Sequence, residues 1–221
     1  MIMRDVPELL QQRYDLCFKT LSIGRWLDIE ALCVRDPDQL IDQIDSDAFE
    51  QEERLPYWSE IWPASIGLGM HLFEHPVSVH GAILELGCGI GVAGIAAAAA
   101  GFSVIACGYE AYALEFARFN ARRNRVADRI TYRLFDWRNP DFYDRFPLII
   151  GSDIVYERAD HQPIQELLEA MLIPGGAFLL SDPDRRPAGA FVERMVQAGY
   201  GHSAQPHRVR HEEAKIGRAH V

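Results

Sequence analysis

The sequence predicts a doubly wound α/β fold with a mostly parallel sheet, and three observations carry that prediction. Short apolar runs alternate with segments of helical periodicity from residue 63 to about residue 200. The first run opens into a glycine-rich turn, Gly87-Cys-Gly-Ile-Gly91. A length of 221 residues, 48% hydrophobic and 24% charged, suffices for one α/β domain with its own core.

The elements follow in order. Residues 14–34 alternate loosely about Ile23-Gly24 and read as a short hairpin. Residues 35–54 are acidic and turn-rich and read as a solvated cover, so 1–54 is taken as an N-terminal extension and 55–214 as the main domain. Pro63 starts a helix. Strands are expected at 82–86, 102–107 and 130–135, with a fourth opening at 147–150 and a fifth at 177–180 after the turn Pro174-Gly-Gly176. Helices are expected at 92–100, 111–124 and 161–172, and at 188–198 before Gly199. Apolar strands alternating with helices imply a sheet covered on both faces.

Composition excludes several functions. The net charge is −10, and the first sixty residues hold fourteen acids against six bases. Duplex nucleic acid and anionic membranes are therefore poor partners. Cys17, Cys33, Cys88 and Cys107 are widely spaced without a C-x-x-C pair, which fits a reducing compartment rather than a disulfide framework. Charges precede any apolar run at the N-terminus, and the apolar stretch at 90–101 is too short to span a bilayer, so a cytoplasmic location is expected. His71 and His75 share a helix face with His80 beyond, yet no Glu or Cys completes a ligand set, and no metal is expected. The last seven residues, 215–221, back-translate into a string like the start of a short-read sequencing adapter and are read as a non-native tail.

The chemistry centres on Glu85-Leu-Gly87-Cys-Gly89-Ile-Gly91-Val-Ala-Gly94, where a strand turns into a helix. Glycines there let backbone approach a ligand, and the helix start offers free N–H donors. The same run satisfies the dinucleotide pattern G-x-G-x-x-G at Gly89, Gly91 and Gly94, and these glycines could also serve only a tight turn. Glu85 argues against a pyrophosphate, because a carboxylate before the loop repels it and suits a cationic ligand. Asp136-Trp137 follows the third strand, and Ser152-Asp153-Ile-Val-Tyr156 follows the fourth, at the edge where such sheets bind ligands.

The glycine segment resembles the first motif of class I S-adenosylmethionine-dependent methyltransferases. With ERLPYWSEIWPASIGL upstream and D-x-x-Y at Asp153–Tyr156, the chain resembles the seven-β-strand lysine methyltransferases. Within that group it is most like bacterial relatives of the electron-transfer-flavoprotein β-subunit lysine methyltransferases. The resemblance covers about residues 14–200 and implies S-adenosylmethionine as cofactor and a protein lysine as acceptor. It implies cofactor contacts at Trp62, Glu85, Gly87, Gly89, Gly91, Glu110, Asp136, Trp137 and Ser152. It places Asp153 against the acceptor amine and Tyr156 in the wall of its channel. One departure stands out: relatives carry Asp at the end of the second strand, where this chain has Gly108, with Glu110 two residues later. Losing that charged acceptor could cost about 1.5–3 kcal/mol of cofactor binding.

Two alternatives accompany this reading: methylation of a small amine, and a cofactor-binding module without activity. The resemblance also implies a sheet ordered 3-2-1-4-5-7-6. Residues 202–214 promise part of a sixth strand but hardly a seventh, so the strand at 177–180 is expected as an exposed edge. A monomer is expected once that strand is complete.

Overall fold

A computed structural model describes residues 5–42, 56–211 and 214–220. After helix α1 (Glu8–Arg13), strands β1 (Leu16–Ile23) and β2 (Leu27–Val34) form the expected antiparallel hairpin. Of the expected cover segment, residues 43–54 lie outside the described residues, and 38–42 form the short helix α2 (Asp38–Asp42). Helix α3 (Pro63–Glu74) begins with proline in its first turn, where the missing N–H costs nothing.

The alternation then proceeds as read from the sequence. Strand β3 (Ile83–Leu86), helix α4 (Val92–Ala99), strand β4 (Val104–Gly108), helix α5 (Ala111–Arg123) and strand β5 (Ile130–Leu134) come first. Strand β6 (Phe146–Ser152), helix α6 (His161–Met171), strand β7 (Leu172–Ser181) and helix α7 (Arg186–Gln197) follow. The five central strands are parallel, in the order β5-β4-β3-β6-β7. All four residues of β3 are buried, as a central parallel strand covered on both faces requires.

Each face has its own core. One gathers Ile66, Ile95 and Phe116 beneath α3, α4, α5 and the hairpin; the other gathers Leu84, Ile149, Leu168 and Phe191 beneath α6 and α7. Asn120 of α5 joins the first face together. Its carboxamide oxygen accepts the Leu32 N–H at 2.7 Å, and its nitrogen donates to the carbonyls of Leu32 at 3.1 Å and Ile90 at 3.0 Å. One turn on, Asn124 exchanges the same two bonds with the backbone of Glu30.

Two expectations change. Pro174-Gly-Gly176 does not precede the strand but lies within the bounds of β7. Leu172 pairs with Phe146 and Ala177 with Leu148, so residues 173–176 stand opposite Pro147 alone, which has no N–H to offer a ladder. The C-terminal region makes more strand than its length suggested. Strands β8 (Pro206–His211) and β9 (Ala214–His220) pair antiparallel, because an antiparallel pair needs only a two-residue connection. Residues 215–220, set aside above as a tail, thus lie in β9. This hairpin is separate from the five-stranded sheet, so β7 is an edge among the described residues.

The C-terminal hairpin packs on α3. His207 Nε2 meets His71 Nδ1 at 3.1 Å, His207 Nδ1 lies 3.4 Å from Glu74, and Val209 is buried. Burial and the neighbouring histidines push His71 down to about 4, so it is neutral at pH 7. Among the described residues no group of three or more His, Cys, Asp or Glu is arranged to hold a metal.

Candidate active site

The carboxyl ends of β3, β4 and β6 open into a cleft of about 320 Å³. That volume falls in the range of small-molecule sites, roughly 300–1,000 Å³. The floor is the turn between β3 and α4. Gly87 has φ +68°, and a Cβ there would sit 2.7 Å from Ile154 and 3.4 Å from the Trp137 ring. Gly91 caps α4 at φ +95°, against Ala117 of α5. Side chains are shut out at both positions by conformation and by space.

Eight of the residues singled out from the sequence line the cleft: Trp62, Gly87, Gly89, Glu110, Trp137, Ser152, Asp153 and Tyr156. Glu110 starts α5, its side chain accepting the Tyr112 N–H at 3.1 Å. The Trp137 indole is aimed by Asp160, which accepts its N–H at 3.0 Å. Trp62, Tyr57 and Tyr156 stand edge to face, with ring centroids 5.6–5.9 Å apart. Burial pushes the Tyr156 hydroxyl well up, so it stays protonated.

Three residues lie elsewhere. Gly91 acts at the helix start behind the loop. Asp136 accepts the Arg138 N–H at 2.9 Å, closing the turn that presents Trp137. Glu85 is only 2% exposed and sits under the loop, its Oε1 accepting the Gly94 N–H at 2.9 Å and its Oε2 without a partner among the described residues. Burial raises its pKa to about 8, leaving the group mainly protonated at pH 7. Glu85 therefore braces the turn from beneath and does not line the cleft. Among the described residues the lining carries Glu60, Glu110 and Asp153 against a single base, Arg185, a balance that favours a cationic ligand.

Asp153 lines the cleft beside Arg185. It follows β6 in a left-handed conformation, φ +55°, uncommon for a residue with a side chain and typical of functional sites. Its N–H donates to the Ser181 carbonyl at 2.8 Å. Burial pushes its carboxyl up to about 6 against the opposing pull of Arg185. Arg185 Nη1 donates to Asp153 Oδ1, and its guanidinium lies 5.3 Å from the Trp62 ring centroid.

Sequence reasoning missed Arg185, Glu60 and Tyr109. Arg185 had a signal: Asp182-Pro-Asp-Arg185 follows β7 at the same edge of the sheet that drew attention to Asp153.

Residues 44–197 match the family described as lysine methyltransferase. The chain is 32% identical to the protein N-lysine methyltransferase METTL21A of Xenopus tropicalis over 101 residues, 43% of this chain and 46% of that protein. It is 40% identical to the electron transfer flavoprotein beta subunit lysine methyltransferase of Xenopus laevis over 137 residues, 59% of this chain and 53% of that one. The aligned stretches thus span about half the length of these relatives. A methyltransferase from Pyrococcus furiosus superposes with a TM-score of 0.51 at 20% identity, covering 70% of this chain and 81% of its own. The precorrin-6y C5,15-methyltransferase of Geobacter metallireducens GS-15 gives 0.55 at 14%, covering 71% and 84%. At such identities these structures speak for the fold.

Proposed function

The chain belongs to the lysine methyltransferase family, and from that premise we propose that it transfers a methyl group from S-adenosylmethionine to a lysine side chain of a protein. The observation that carries the reading is the cleft itself, an acidic and aromatic pocket with Asp153 at one end and the glycine turn as its floor. The residues fit the cofactor: Gly87 and Gly89 leave room at the floor, Glu110 offers a carboxylate where β4 meets α5, and Trp137 offers an indole face. When bound, S-adenosylmethionine supplies a methyl group already activated by its sulfonium.

The chain's own residues then have to align an amine and present it neutral. Deprotonating a lysine of pKa near 10.4 at pH 7 costs about 4.6 kcal/mol. The Tyr57–Trp62–Tyr156 wall lowers that cost by excluding water from the ammonium. Asp153 favours the ammonium, so its role is to orient the amine by a hydrogen bond rather than to remove the proton.

The test is methyl transfer from tritiated cofactor to recombinant electron-transfer flavoprotein β-subunit and to lysate proteins, with the modified residue located by mass spectrometry. Labelled lysine supports the reading. Label on a small amine alone would move the substrate class, and cofactor binding without label would leave a silent binding module.

A further inference from the structure

We propose that Arg185 gates the acceptor end of the cleft, its guanidinium holding the place of the incoming lysine ammonium until the substrate displaces it. The inference rests on the lysine methyltransferase reading.

Arg185 is the one basic side chain among the described residues lining the cleft. It is bonded to the Asp153 carboxylate and stacked toward the face of Trp62. A carboxylate and an aromatic face are the two partners an alkylammonium seeks. With Arg185 in place the Asp153 side chain is 2% exposed, and its second oxygen, also cut off from solvent, finds no hydrogen-bond partner among the described residues. An amine therefore reaches Asp153 only when Arg185 leaves.

Arg185 is free to leave. Its own side chain is 35% exposed, so its far side already faces water. Its backbone stays anchored, the N–H donating to Asp182 Oδ1 at 2.7 Å just before α7. The side chain can swing without unfolding its loop. The exchange replaces one cation by another, so buried Asp153 is paired in both states and little is lost in the swap. A guanidinium stays protonated at any working pH, and thus fills the acceptor place without itself becoming a nucleophile. The device also sets specificity: a neutral hydroxyl or amide side chain has no charge with which to displace it.

The experiment titrates Nα-acetyl-lysine methylamide into the full chain at pH 8 by calorimetry, with and without S-adenosylhomocysteine. Arg185→Ala and Arg185→Gln should each bind this amine about tenfold more tightly than the unaltered protein, the penalty of a closed state populated nine times in ten. The Gln variant keeps an N–H donor for Asp153 should the Ala variant fold poorly. Arg185→Lys should restore weak binding, because its ammonium refills the place. Unchanged or weaker binding by the Ala and Gln variants, or tight binding by the Lys variant, overturns the gate. Binding of S-adenosylhomocysteine separates the two readings. Its failure to bind the unaltered protein refutes the methyltransferase reading, while the amine titration still decides the gate. Normal nucleoside binding with no gain from removing Arg185 refutes the gate alone.

Discussion

Asn120 gives Leu32 the two hydrogen bonds that a neighbouring strand would give it, accepting from its N–H at 2.7 Å and donating to its carbonyl at 3.1 Å. One helix side chain thereby stands in for a strand along β2, and its third bond, to the Ile90 carbonyl, ties that strand to the glycine turn.

Asn120→Ala should therefore be among the costlier single changes outside the apolar core. It strips partners from buried backbone groups worth about 1–3 kcal/mol each. A total near 3 kcal/mol corresponds to a loss of about 6–12 °C in Tm for a chain of this size. Asn124→Ala, whose bonds to Glu30 are exposed, should lose about a third as much. Thermal melting of the two variants checks the ratio, and equal losses would contradict the role assigned to Asn120.

Gly108→Asp should tighten S-adenosylmethionine binding about tenfold. The position lines the cleft at the end of β4, and its φ is not in the left-handed region. An added Cβ would make ordinary contacts, 3.5 Å from Cys88 and from Leu114. The gain corresponds to about 1.4 kcal/mol, the low end for a hydrogen bond to a charged group. Calorimetry decides; unchanged affinity would mean that Glu110 already does this work.

Asp153→Asn should leave cofactor affinity within a few-fold and lower turnover about a hundredfold, the scale of a misplaced acceptor. The carboxyl is bonded to Arg185 past the end of β6, and β3 separates that strand from β4, which Glu110 follows. Cofactor titration beside single-turnover methyl transfer separates the effects. Lost binding with normal chemistry would make Asp153 a cofactor ligand.

Glu85 should impose a pH dependence on stability. Its pKa rises from 4.5 to about 8 on folding because it is buried, so the folded chain holds that proton more tightly than the unfolded one. Its contribution is intact below about pH 4.5 and is lost as pH rises to about 8, with a slope of at most roughly 1.4 kcal/mol per pH unit. Glu85→Gln should flatten the difference between melts at pH 6 and pH 8. Parallel pH curves for the two proteins would show that Glu85 titrates normally.

The five central strands, β3 to β7, were legible because each is a short apolar run and all but β5 are followed by a helix, while their order was what the resemblance implied. Asp153 and Tyr156 were legible for the same reason, since the residues just past a buried parallel strand fall at the ligand-binding edge. Glu85 was misread because position in a strand does not reveal depth. Every residue of β3 is buried, and only the fold shows that this side chain points under the turn toward Gly94. Arg185 lies thirty-two residues from its partner Asp153, and no local pattern encodes a meeting set by α7 and the end of β7. Asn120 reads as one polar residue in a helix until β2 is laid beside it. The β8–β9 pair was underestimated because a count of residues ignores how short an antiparallel connection can be.

The contact between His71 and His207 spans 136 positions of the chain. A ribosome adding about 5–20 residues per second needs on the order of ten seconds to travel that far. Within that interval α3 can pack on α4 and then on β6 as each is made, while the side of it that will carry the C-terminal hairpin has nothing to rest against. The central sheet can assemble during synthesis, and the hairpin fastens afterwards. A nascent chain stalled before residue 206 should thus hold its cleft while remaining open to chaperones along α3.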